Sequence, residues 1–274
     1  MTATLYDSSN GLVEYSYQGE GPTLLLLKGG HSSRETDLSH SGLIYEGYSL
    51  LTVSRPGYDH TEVSTGRTPE EFAQTITEIL DQLEIEDVTV IAISSAGPTA
   101  IALAVNHPYR INKLILEAAL TTAWNPKTKR QARLFFGRGG KVIWKSIRLM
   151  LKVSPNLAVK QIMSSLTTDS VDDYVSKLSS NDRQFIYDLL LSSRSGKGFM
   201  LDINHKVLDM SQIKVPVLGM YTQKDKSVDY SNALSLQSNV PKCEIYEVKS
   251  DSHLIWIGEN ATNVWKKRLE FINN

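Results

Sequence analysis

The stretch Val88-Thr-Val-Ile-Ala-Ile-Ser94-Ser95-Ala96-Gly97-Pro98 decides how this chain is read. Its first part has the length and β-branched content of a buried strand. It runs straight into a serine, then small residues, then an apolar segment over 99–106 that reads as a buried helix. A serine on a tight strand-to-helix turn has its hydroxyl pushed clear of the backbone. Strand and helix pack closely there, so only small residues are tolerated two positions to either side. Ser94 is flanked in that way by Ala92 and Ala96, Ser95 by Ile93 and Gly97. The β-branched Ile93 is a poor fit, which favours Ser94 as the exposed hydroxyl. Taken alone, the segment also reads as a plain serine cap on a helix.

Outward from this turn, short runs rich in Val, Ile and Leu recur at 12–17, 23–27, 48–54, 113–117, 215–221 and 244–248, and each predicts a strand. Helical periodicity covers 69–83, 230–237 and 260–272. Thr68, Pro69 and Glu71 predict a capping box at the start of the first of these. A β-rich start followed by alternating strands and helices predicts an α/β fold, a mostly parallel central sheet with helices on both faces. The alternation breaks over 121–209, which is helical in pattern. We read it as a helical cap inserted into a core formed by 1–120 and 210–274.

Composition narrows the function. The chain has 274 residues, 22% of them charged, and a net charge of −1, which removes any global argument for nucleic acid. Cys243 is the lone cysteine, so no disulfide framework or cysteine metal cluster is expected. The start, MTATLYDSSN, lacks the basic and apolar regions of a signal peptide, and no apolar run is long enough to span a membrane. These features lead us to expect a cytoplasmic protein. No metal constellation or phosphate-binding glycine loop stands out, and no cofactor is implied.

Five places in order resemble the α/β-hydrolase superfamily. The serine turn resembles its Gly-x-Ser-x-Gly elbow, with Ala92 and Ala96 in place of both glycines. Leu24-Leu-Leu-Leu-Lys28-Gly29-Gly30-His31-Ser32 resembles its His-Gly-Gly loop, with Lys28 where His is usual. Ser54-Arg55-Pro56-Gly57-Tyr58 resembles its Asp-Arg-Pro-Gly-Tyr turn, Val215 through Asp225 the strand and turn that bear the acid, and Ser252-His253-Leu254 the late histidine loop.

The resemblance implies Ser94 as nucleophile, Asp225 as acid and His253 as base, in that chain order. Glu117, ending the preceding strand, is the runner-up acid; Asp251 is too near His253 in sequence. The backbone N–H groups of Ser95 and Gly30 are the implied oxyanion donors. His31, in the same loop, is a candidate substrate contact, with a turn role as the other reading. Arg55 and Gly57 read as a structural turn. His107 sits at a helix end, and His40, His60 and His205 are expected to be solvated.

Residues 118–168 hold ten Lys and Arg and no Asp or Glu. Lys141, Lys145, Arg148 and Lys152 share one helical face, with Val142, Ile143, Ile147, Met150 and Leu151 mostly filling the other. Such a helix either packs its apolar side on the core and solvates its charges, or makes a weak contact with an anionic surface or substrate. The reading as a whole is a cofactor-independent serine hydrolase acting on a small-molecule ester or related acyl substrate. An acyltransferase, a C–C hydrolase and a hydrolase-fold binding protein without turnover are the alternatives.

Overall fold

A computed structural model describes residues 2–137 and 139–274. Among these residues the strands are β1 (Thr4–Ser8), β2 (Gly11–Gln18), β3 (Thr23–Leu27), β4 (Ser49–Val53), β5 (Val88–Ile93), β6 (Ile111–Glu117), β7 (Val217–Tyr221) and β8 (Cys243–Glu247). They form one sheet in the order β1-β2-β4-β3-β5-β6-β7-β8. β2 pairs antiparallel with β1 and β4; the remaining pairings are parallel. The expected strands all appear, and β1 is an additional one. It is a short edge strand, mostly exposed, whose sequence Thr-Leu-Tyr-Asp-Ser carries no continuous apolar run.

The helices are α1 (Pro69–Gln82), α2 (Gly97–Asn106), α3 (Pro126–Phe136), α4 (Gly140–Val153), α5 (Pro155–Met163), α6 (Val171–Lys177), α7 (Ser180–Ser192), α8 (Gly198–Asp202), α9 (Ser231–Asn239) and α10 (Ala261–Asn273). The two faces of the sheet are visible in the central strands. Leu25, Leu27, Val90, Ala92, Leu114 and Leu116 pack with α1, α2 and α9. Leu24, Leu26, Ile91, Ile93 and Ile115 pack with α10 and with helices of the 121–209 stretch. Successive side chains alternate between faces, so a strand covered on both sides must be apolar throughout. The α1 cap departs from the expected box. The Thr68 hydroxyl accepts the N–H of Glu71 at 3.2 Å, but the Glu71 carboxylate takes the N–H of Arg67 at 2.7 Å rather than that of Thr68.

Between β6 and β7 the chain runs through α3 to α8. Its return leg is tied to the loops at the strand ends. The N–H of Arg194 donates to the His31 carbonyl at 2.8 Å, and those of Lys197 and Gly198 to the Gly57 carbonyl at 3.0 and 3.1 Å. No helix among the described residues is long and apolar enough to cross a membrane.

Candidate functional site

The loops after β3, β5, β7 and β8 leave the same edge of the sheet, because those strands run parallel. Such an edge is where open α/β sheets bind ligands. Lys28 to His31 follow β3, Ser94 follows β5, Asp225 follows β7 and His253 follows β8.

Ser94 has φ +51°, in the left-handed region that side chains other than glycine rarely adopt. Ala92 and Ala96 are fully buried beside it. The Ser94 carbonyl accepts the N–H of Leu120 at 2.9 Å. A Cβ on Gly97 would collide with the Leu120 carbonyl, and one on Gly29 would lie 2.9 Å from Cβ of Ser94. Close approaches that admit no side chain thus occur at Gly97 and Gly29, and Gly97 bears the tighter of the two. Ser94 is partly exposed, and among the described residues its hydroxyl makes no hydrogen bond.

Asp225 and His253 come together. His253 Nδ1 lies 2.6 Å from Asp225 Oδ2, both side chains being buried. Asp225 Oδ1 accepts the N–H groups of Ser227 and Val228 at 2.7 and 2.8 Å, which fixes the carboxylate plane. The segment between α5 and α6 braces both loops: Thr167 forms a β-bridge to Asp225, and the His253 N–H donates to the Leu166 carbonyl at 2.8 Å. Asp251 is engaged elsewhere, taking Lys224 at 2.7 Å and Lys177 at 3.2 Å. Ser94 is hydrogen-bonded to neither Asp225 nor His253.

Glu117 lies in a different network. Its carboxylate accepts Arg268 Nε at 2.6 Å, Arg268 Nη2 at 3.1 Å, Trp256 Nε1 at 2.5 Å and His40 Nε2 at 2.9 Å. Burial is the largest single influence and works to raise its pKa, but the charges of Arg268 and His40 and the hydrogen bonds from both together outweigh it. The carboxyl is held well below the usual range. Trp256 is three residues beyond His253, so the pair steadies the histidine loop from behind. His40 is 1% exposed, with Nδ1 unpartnered, and not solvated as the sequence suggested; burial lowers its pKa. His205 is likewise buried, beside Asp202, whereas the His60 side chain is 80% exposed. A polar residue in a loop reads as solvated from sequence, and only the packing of distant elements covers these two rings.

Arg55 does more than shape a turn. It is buried, donates through Nε to the Lys28 carbonyl at 2.7 Å, and pairs with Asp202 through Nη1 at 2.5 Å and Nη2 at 2.9 Å. Nη2 also donates to the Ser95 hydroxyl at 3.0 Å, and that hydroxyl donates to Asp202 at 2.9 Å. Tyr58 completes the set with a 2.7 Å bond to Asp202. One guanidinium thus joins the β3 loop to the residue after Ser94. Burial is the largest single influence and acts to raise the Asp202 pKa, but Arg55, His205 and the Tyr58 hydrogen bond together outweigh it, and the carboxyl sits below its ordinary value. Sequence reasoning missed Asp202; its one signal is an acid inside the apolar stretch Phe199-Met-Leu-Asp-Ile203. Lys28, where the resemblance expects His, is buried. Its Nζ donates to the carbonyls of Arg34 (2.8 Å) and Thr36, and burial pulls its pKa down to about 8.

His31 is clamped from the 121–209 side. Its ring centroid lies 3.9 Å from Phe199, 4.4 Å from Phe136 and 5.4 Å from Trp144. Trp144 Nε1 donates to Ser195 Oγ at 2.6 Å, and that oxygen is 2.7 Å from His31 Nδ1. An indole only donates, so Ser195 Oγ accepts from Trp144 while it also bonds His31 Nδ1, and the hydroxyl links the two rings. Burial among these rings pushes the His31 pKa down to about 4, keeping it neutral.

A family model described as alpha/beta hydrolase fold matches residues 22–255. A Bacillus subtilis protein named uncharacterized hydrolase YcgS is 32% identical over 272 residues, covering 96% of each chain. A 2-hydroxy-6-oxononadienedioate/2-hydroxy-6-oxononatrienedioate hydrolase from Burkholderia vietnamiensis is 23% identical, covering 97% of this chain and 92% of that protein. Among solved structures, an alpha/beta hydrolase fold protein from Nakamurella multipartita superposes with a TM-score of 0.84 at 22% identity, covering 98% of both chains.

Proposed function

Because the chain belongs to the alpha/beta hydrolase fold family, we propose that it is a cofactor-independent serine hydrolase that cleaves carboxylic esters. The observation that carries this reading is the left-handed backbone of the partly exposed Ser94 at the end of β5, with a buried Asp225–His253 pair on the same sheet edge. His253 takes the Ser94 proton as Oγ attacks the ester carbonyl. Asp225 holds Nδ1 of the ring and balances the imidazolium that forms. The backbone N–H groups of Ser95 and Gly30 receive the oxyanion. The alcohol leaves with the proton from His253, and water, activated by the same ring, releases the acid from Ser94. Arg55 positions the two oxyanion donors, and residues 121–209 act as the cap that chooses the acyl and leaving groups.

A fluorophosphonate probe tests the reading. Labelling is expected in the wild type and in Ser95→Ala, and lost in Ser94→Ala. Equal labelling of Ser94→Ala would refute it. A protein inert both to the probe and to a panel of esters and thioesters of varied acyl length would favour a binding protein without turnover. C–C bond hydrolysis is the second reading, favoured by the named activity of the Burkholderia relative. Turnover of a 2-hydroxy-6-oxo dienoate exceeding that of every ester in the panel would select it.

A further inference from the structure

Helix α4 divides its side chains differently from the pattern its sequence suggests. Trp144 and Leu151 are buried and define the side that faces the protein. Arg148 belongs to the packing, donating through Nη2 to the Ser193 carbonyl at 2.8 Å. Val142, expected on the packed side, is 66% exposed, with Leu149 at 63% and Val153 at 76%. With 3.6 residues per turn these three fall within about 40° of arc, and the stripe they form is about 16 Å long. Lys141, Lys145 and Lys152 are exposed along one flank of that stripe and make no ion pair among the described residues.

We propose that α4 docks on the surface of an anionic lipid bilayer, with Val142, Leu149 and Val153 entering the boundary between headgroups and acyl chains. Lys141, Lys145 and Lys152 then pair with lipid phosphates. Charge complementarity supports this occupant, since no acidic residue occurs anywhere in 118–168. A face meant only for water has no use for a row of aliphatic side chains, and a surface for nucleic acid needs the cations without them. Protein interfaces are depleted in Lys and enriched in aromatic residues and Arg. Here the exposed face is Lys with aliphatics, and the long lysine stems let the ammonium reach headgroups while the stripe sits lower. The inference does not depend on the reaction proposed above.

The test is co-sedimentation of the full chain with vesicles of phosphatidylcholine alone and of equal parts phosphatidylcholine and phosphatidylglycerol. Binding is expected to the mixed vesicles only, and to weaken as salt shortens the screening length. Each lysine lost costs about fivefold in partitioning, so K141Q/K145Q/K152Q should bind on the order of a hundredfold more weakly. V142S/L149S/V153S should also release the protein, at unchanged charge. All six side chains are exposed, so both variants should keep the wild-type melting temperature. Equal binding to both vesicles, a lysine variant that partitions like the wild type, or a serine variant that does so would overturn the proposal. So would a solution dimer that dissociates in the serine variant, since a second copy would then cover the stripe.

Discussion

Replacing Glu117 with Gln separates the two carboxylates that the sequence offered as partners for His253. The change keeps the shape and removes the charge that balances Arg268. Both side chains are 0% exposed, so the guanidinium is left buried without its counter-ion. Breaking such a pair from one side costs about 3–5 kcal/mol. Unfolding entropy of about 2.1 cal/mol/K per residue over a chain of this length converts that to a drop of about 5–9 °C in Tm. Asp81→Asn, which removes an exposed partner of Arg110, should move Tm by less than about 2 °C. The loss is also predicted to be partly recovered by Arg268→Met in the Glu117→Gln background, because an apolar side chain needs no counter-ion. Scanning calorimetry measures the shifts, and ester turnover well below the melting range measures the chemistry. Glu117→Gln should retain most of the rate, whereas Asp225→Asn should lose it by orders of magnitude. An unshifted Tm in Glu117→Gln, together with a rate as low as that of Asp225→Asn, would refute the reasoning and move the acid to Glu117.

Two further outcomes follow from the loops around the site. His31 titrates at about 4 in the folded chain against about 6.5 when unfolded, so the unfolded chain binds the extra proton first. His31 therefore contributes a loss of stability as pH falls from about 6.5 towards 4, and His31→Gln should flatten the acid limb of Tm against pH; an unchanged limb would contradict the burial argument. Gly97→Ala drives a methyl into the Leu120 carbonyl and should destabilise by about 1–3 kcal/mol or more, whereas Gly47→Ala, with open space around it, meets only the cost of its positive φ; equal melting temperatures for the two would contradict the crowding at the elbow.

The strand pattern and the elbow were legible because each is written in contiguous residues. Strands covered on both faces read as unbroken apolar runs, and the small residues around Ser94 lie within three positions of it. Asp225 and His253 were legible through the family resemblance, which places both just after strand ends, and their side chains meet at 2.6 Å. The Arg55–Asp202 pair could not, since it joins residues 147 positions apart. Neither could the Ser195 bridge to His31, at a separation of 164. The rotation of α4 was misread for a related reason. Its aliphatic residues spread over more than half of the circumference, and only the placement of Trp144 and Leu151 in the assembled molecule decides which of them face inward.

The backbone of Ser94 carries a cost that bears on how this chain tolerates change. Holding a residue with a side chain in the left-handed region costs on the order of 1–2 kcal/mol, which glycine does not incur. Selection for a robust fold alone would therefore drift this position towards glycine, and a library screened only for heat resistance should recover Ser94→Gly among its survivors. Screened instead for turnover, the same library should exclude it without exception. With Ser94 as the proposed nucleophile, fitness for folding and fitness for chemistry have opposite signs at this position.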